Sequence, residues 1–167
     1  LPSAPRIALL GSTPYTVMLN HNGSGFSRYE SIAVTRWRAD STRDITGQFC
    51  YINDLTADRL WSSAFQPFGV SSEGSRAWLA SDRVTLHRID GDMETRTEIT
   101  VVPADSAEVR RVTLTNTGGE PHDLELTSYG EVVMTAQGAD LARPAFSNLF
   151  VETEWHAWCT AITATRR

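Results

Sequence analysis

Residues 24–44 gather side chains whose types suit sugar recognition: Ser24-Gly25-Phe26-Ser27-Arg28-Tyr29, then Thr35-Arg36-Trp37-Arg38-Ala39-Asp40, then Arg43-Asp44. Tyrosine and tryptophan present flat apolar faces to the C–H face of a pyranose, while arginine and aspartate form charge-assisted hydrogen bonds to hydroxyls. On that chemistry Arg28, Tyr29, Arg36, Trp37, Arg38 and Asp40 are the candidate carbohydrate-binding residues. The same stretch has a structural reading, with Trp37 in a core and Arg36, Arg38, Asp40 and Asp44 paired around strand ends.

Nothing in the sequence amounts to a catalytic constellation. Ser24-Gly25-Phe26-Ser27 lacks the G-x-S-x-G order of a nucleophile elbow, and Gly23-Ser24-Gly25 lacks the third glycine and following helix of a dinucleotide loop. The pairs Glu152/Glu154, Asp90/Asp92 and Glu94/Glu98 could suggest the two carboxylates of sugar hydrolysis. Positions two or four apart share one face of any strand, so solvated faces and turns account for them better. His21 adjoins a loop and could act as a base, but no partner for it can be named; His87 and His122 read as surface strand or turn residues. The histidines are scattered, and only His156 stands near a cysteine, so neither a metal nor a cofactor is expected.

Composition narrows the function classes further. The chain has 167 residues, no lysine, a formal charge of −5 and 41 % hydrophobic residues, with five tryptophans, six phenylalanines and four tyrosines as core material. Such a chain folds around a core of its own. A nucleic-acid binder needs a basic surplus that is missing here. Without lysine, Schiff-base chemistry and a phosphate-loop lysine are also excluded. The acidity is uneven: residues 1–83 hold eight arginines and seven acids, whereas the remainder holds seven and thirteen. The candidate segment therefore lies in the near-neutral half.

Cys50 and Cys159 are too few for a disulfide scaffold and stand in strand-like contexts. Buried free thiols are the favoured reading, with a bridge between them as the alternative. No apolar run approaches a membrane span, so no membrane contact by this chain is expected. The chain has no initiator methionine and ends at Arg166-Arg167 in an extended segment, so it is expected to be a fragment of a longer multidomain protein.

The elements that must position these residues alternate with a period of two almost throughout. Strands are expected around residues 15–19, 31–37, 49–52, 60–61, 77–79, 83–89, 93–102, 109–115, 123–129, 149–155 and 159–165. Asp40-Ser41-Thr42-Arg43-Asp44 reads as a polar break. Asp90-Gly91-Asp92 is a hairpin signal, because glycine accepts the positive φ of a tight primed turn. Asn116-Thr117-Gly118-Gly119-Glu120-Pro121 reads as the turn of a second hairpin, and residues 136–146 as an irregular excursion. Short strands separated by turn residues, with no long capped helix, predict one all-β domain over residues 1–167: a large antiparallel β-sandwich.

Several segments then match in order: residues 15–19, Gly23-Ser24-Gly25-Phe26-Ser27-Arg28, residues 33–40, Trp61-Ser62, and residues 107–116, 126–133 and 143–154. The ordered set resembles the N-terminal β-sandwich domain of the glycosyltransferase family 36 group, and most of all its glucan-synthase branch. That group includes cellobiose and related glycoside phosphorylases and the C-terminal part of cyclic β-1,2-glucan synthases. Thr46 stands where the family usually has tryptophan, and Arg143 where it has histidine. The resemblance implies a galactose mutarotase-like supersandwich, cut short before its last strands. It implies an α-helical barrel catalytic domain in the same parent chain, where a general acid protonates the glycosidic oxygen as phosphate attacks from the opposite face. Further implied partners are a β-glucan oligosaccharide and a second copy in a homodimer. The location implied is cytoplasmic, with inner-membrane attachment through other parts of the parent.

Three functions come into question for such a chain. The chain is read first as the non-catalytic sandwich of a glycosyltransferase or glycoside phosphorylase, inactive alone. The alternative is a stand-alone carbohydrate-binding or dimerisation module. A mutarotase-like enzyme would need a paired histidine and carboxylate in the sandwich cleft, and no pair can be assigned from sequence.

Overall fold

The structure is a computed structural model and describes residues 6–40 and 42–167, the Ser12 side chain excepted. Ser41, within the expected polar break, lies outside the described residues. In chain order the first strands are β1 (Ile7–Ser12), β2 (Tyr15–Asn20), β3 (Gly25–Tyr29), β4 (Ile32–Thr35), β5 (Phe49–Asp54) and β6 (Arg59–Ser62). Next come β7 (Gly74–Leu79), β8 (Val84–Asp90), β9 (Met93–Val101), β10 (Glu108–Asn116), β11 (Leu124–Tyr129) and β12 (Val132–Ala136). Two short helices follow, α1 (Gln137–Ala142) and α2 (Pro144–Asn148), before the hairpin of β13 (Val151–His156) and β14 (Ala161–Arg166). All pairing among these strands is antiparallel. The chain is the expected all-β sandwich.

Alternation decides what each strand buries. In β2, Tyr15, Val17 and Leu19 point inward, and in β8 Val84 and Leu86 do the same. These side chains join Ala8, Leu10, Ala64 and Ile99 in one core between the five-stranded sheet β1-β2-β3-β4-β12 and the four-stranded sheet β10-β9-β8-β7. A second core, of Ile52, Trp61 and Met93 with Leu114 and Leu124 against it, joins the three-stranded sheet β11-β5-β6 to the same four-stranded sheet. Strand β9 serves both: Met93 enters one core and Ile99 the other, with Thr95 and Thr97 buried between them.

Trp61, Thr97 and Arg88 each find hydrogen-bond partners in this interior. The Trp61 indole N–H donates to Thr95 Oγ1 at 3.3 Å, and Thr97 Oγ1 donates to the Ser63 carbonyl at 3.3 Å. Arg88, only 3 % exposed, forms a two-pronged bond to Asp90 at 2.6 Å and donates to the Ala64 carbonyl at 2.7 Å. A buried guanidinium tolerates such a place only with acceptors around it.

The Asp90-Gly91-Asp92 hairpin forms as expected: Asp90 pairs with Met93, and Gly91 takes φ +60°. The second expected hairpin does not. Strand β10 pairs with β9 and β11 pairs with β5, so residues 117–123 carry the chain between two sheets. The Thr117 N–H donates to the Asp92 carbonyl at 2.8 Å, so the turn-forming segment docks on the neighbouring hairpin. Residues 136–146, expected to be irregular, hold α1 and the start of α2, each too short to leave a helical period in the sequence. Cys50 and Cys159 are both free, Cys50 half-buried and Cys159 exposed. Cys159 sits in the β13–β14 turn rather than in the expected strand, which is why it escapes burial.

Leu19→Ala is expected to cost about 3 kcal/mol, seen as a lower urea midpoint at unchanged slope, because it opens a cavity among fully buried neighbours. Ile162→Ala, at a position 69 % exposed, should stay within about 0.5 kcal/mol of the parent chain. Equal losses at the two positions would contradict the placement of the core.

Candidate functional site

Strand β4 ends at Thr35, and the next residue turns inward. Arg36 Nε and Nη2 donate to the two carboxylate oxygens of Asp140 at 2.9 and 2.8 Å, Nη1 to Glu131 at 2.5 Å, and Nη2 also to Asn148 at 2.5 Å. Its backbone N–H donates to the Glu131 carbonyl at 2.9 Å. Arg36 is 7 % exposed and Asp140 2 %. The Arg36 hydrogen bonds hold the Asp140 carboxyl below the usual carboxylate range against the opposing effect of its burial. Asp140 in turn raises Arg36 further. This cluster pins α1 and α2 to the end of the five-stranded sheet.

Beyond Arg36 the chain is exposed. Asp40 accepts from the Thr42 N–H at 2.8 Å, the Thr42 hydroxyl at 2.6 Å and the Arg43 N–H at 3.3 Å, and these bonds, the hydroxyl's foremost, lower its pKa. Farther on, the Asn20 amide and Ser24 hydroxyl both donate to Asp44, and the Gly25 N–H donates to the Thr46 carbonyl at 3.0 Å. The β2–β3 loop thus holds residues 44–46 in place. Between these anchors lies a depression of about 260 Å³ lined by Arg36, Arg38, Asp40, Arg43, Thr46 and Glu131, with Ile45 as its apolar part. Among the described residues the buried Thr46 hydroxyl has no hydrogen-bond partner.

The structure therefore divides the six candidates. Arg36, Arg38 and Asp40 share the depression. Trp37 packs on Phe26 at 5.5 Å between ring centroids and is half-buried. Arg28 and Tyr29 stand at the other end of the β3–β4 hairpin, where Arg28 Nε donates to the Glu30 carbonyl at 2.8 Å and Tyr29 pairs with Ile32.

The carboxylate pairs noted in sequence are largely engaged by cations. Glu98 meets Arg83, Arg96 and Arg111; Asp90 meets Arg88; Glu152 meets Arg167. Two histidine–carboxylate contacts have no signal in the sequence, because their partners come together only in the folded chain. His87 meets Glu94 between β8 and β9, and His122 Nδ1 lies 2.7 Å from Asp54, which is fully buried. Burial pushes the Asp54 carboxyl up, but bonds from the Ala57 N–H, His122 and the Thr56 N–H bring it below the usual range. Among the described residues no group of three or more His, Cys, Asp or Glu converges as a metal site. No described helix is long and apolar enough to cross a membrane.

Comparison with known proteins places this geometry in context. A family model described as "Glycosyl hydrolase 94, supersandwich domain" matches residues 2–167. The cyclic beta-(1,2)-glucan synthase NdvB of Rhizobium meliloti (strain 1021) is 36 % identical over 146 residues, covering 87 % of this chain and 5 % of that protein. The N,N'-diacetylchitobiose phosphorylase of Vibrio furnissii is 25 % identical over 158 residues, covering 92 % of this chain and 20 % of the relative. That of Vibrio proteolyticus is 25 % identical over 134 residues, covering 77 % and 17 %. The chain thus spans a fifth or less of the length of these relatives.

Arg36→Ala leaves Asp140 buried without its partner and is expected to cost about 3–5 kcal/mol in chemical denaturation. Folding lowers the Asp140 pKa, so its ionised form favours the folded state. That contribution is complete above the unfolded value, roughly 4, and is lost as pH falls through the lower folded value. Asp140→Asn should therefore flatten the acid limb of a stability–pH profile. An acid limb identical in both proteins would remove Asp140 from this role.

Proposed function

The chain belongs to the glycosyl hydrolase 94 supersandwich family, and on that premise we propose that it serves as the non-catalytic sandwich of a β-glucan-processing glycosyltransferase or phosphorylase. In that role it supports a separate catalytic domain of the same parent chain and supplies sugar contacts through the depression at residues 36–46. The observation that carries the sugar-contact part is the depression itself, where the exposed Arg38, Asp40 and Arg43 line one concave surface. Arginine and aspartate there can bond saccharide hydroxyls, and Arg36, engaged by Asp140, stiffens the floor.

Contact with further protein has its own support. Leu126, Trp155, Trp158 and Ile162 are between 50 % and 86 % exposed, an arrangement suited to burial against another domain or a second copy in a dimer. We place the domain in the cytoplasm, following its resemblance to the glucan-synthase branch.

The test uses the longer enzyme. Arg38→Ala with Arg43→Ala should raise KM for the saccharide about tenfold at nearly unchanged kcat, the signature of lost binding felt equally in ground and transition states. Wild-type KM in that variant would overturn the sugar-contact role. Phosphorolysis or glycosyl transfer by the 167-residue chain alone would overturn the non-catalytic assignment.

A further inference from the structure

The outer face of the four-stranded sheet carries a second constellation that shares no residue with the 36–46 depression. In β7, Ala77 and Leu79 turn toward the core, so Arg76 and Trp78 face away from it. Cross-strand register extends this face. Arg76 pairs with His87 and His87 with Arg96, while Trp78 pairs with Thr85 and Gly74 with Ile89. These residues and Glu94 line a depression of about 670 Å³.

Its parts are fixed from below and at one side. The His87 and Trp78 rings stand 6.3 Å apart at 59°, and Glu94 bonds the His87 imidazole from the neighbouring strand. Arg96 Nη2 is tied to Glu98 at 3.0 Å, and Glu98 also takes Arg83 and Arg111. Gly74 leaves the end of the depression open, since a Cβ there would meet Ile89 at 3.2 Å. Trp78 remains 50 % exposed. Among the described residues Arg76 makes no ion pair.

We propose that this face is a saccharide-binding site in which a neutral pyranose stacks on Trp78 and its hydroxyls bond Arg76, Arg96 and the His87–Glu94 pair. An indole face offers the C–H face of a sugar a large apolar contact that loses little side-chain entropy on binding. Adjacent strands lie about 5 Å apart and alternate residues of one strand about 7 Å apart, so Arg76, His87 and Arg96 form a polar row along one side of the indole, within the span of a short glucan. Both signs of charge are present: guanidinium groups donate to hydroxyl oxygens, and a carboxylate accepts from hydroxyl protons. A phosphate or other anion would meet Glu94 at the same place, so a neutral sugar fits better than an anion. The site would hold a glucan chain on the sandwich, apart from any contact made at residues 36–46.

The experiment titrates the 167-residue chain with cellotetraose and with a linear β-1,2-linked glucotetraose, by calorimetry and tryptophan fluorescence. Binding of at least one is expected. It should weaken about tenfold or more in Trp78→Ala, and by a smaller factor in Arg76→Gln. Trp78→Phe keeps an aromatic face and should retain most of the affinity, which separates loss of stacking from loss of fold. Glu120→Gln, an exposed position lining neither depression, should leave this binding unchanged. Failure of the chain to bind either sugar would overturn the proposal, as would unaltered affinity in Trp78→Ala. Binding lost in the Arg38/Arg43 variant but kept in Trp78→Ala would overturn it too, while supporting the contact at residues 36–46.

Discussion

Burying a guanidinium obliges the surrounding chain to bring acceptors to it, and Arg36 is where this fold meets that obligation. Its partners Glu131, Asp140 and Asn148 come from three places: the approach to β12, helix α1 and the end of α2. None adjoins Arg36 in sequence. Satisfying one side chain therefore fixes where the chain goes after β12, and α1 and α2 stay in place although neither has a side-chain cap. Such a cluster gains stability only when complete, since loss of one member leaves another charge buried without a partner. The same guanidinium forms the floor of the depression at residues 36–46, so the firmest point of the region lies beneath its exposed arginines.

The four-stranded sheet is the second organising element. Its inner face meets both other principal sheets, through Ile99 and Leu86 on one side and Met93 on the other. Its outer face has a different composition, with arginines, glutamates, a histidine and one tryptophan in register. Period-two alternation produces both faces from the same strands, so every residue spared from the core is available for surface chemistry.

How far the site was legible can be seen residue by residue. Arg38 and Asp40 are read as candidates from composition and spacing, and they do share a depression with Arg36. Arg28 and Tyr29, only a few positions earlier, stand at the opposite end of a hairpin, because antiparallel strands carry sequence neighbours apart. Trp37 is drawn toward Phe26. Trp78 with His87 and Glu94 left no signal at all. Their relation spans three strands, and a single sequence does not say which strands become neighbours. Asp54 and His122 are hidden for the same reason.

Strand alternation, the Asp90-Gly91-Asp92 turn and the lack of a long helical period determined the all-β class from sequence alone, because these are local properties of the backbone and its side chains. The ordered motifs between residues 15 and 154 likewise carried the family. Pairing of strands was decided only in three dimensions. Residues 116–121 have good turn chemistry, yet β10 and β11 separate into different sheets, since burying Leu114 and Leu124 in a shared core outweighs the local preference to pair. The fate of each arginine was settled there too. Arg36 and Arg88 are enclosed by acceptors, whereas Arg38 and Arg76 lie on open surface, and only the folded chain's geometry determines which guanidinium carboxylates can reach.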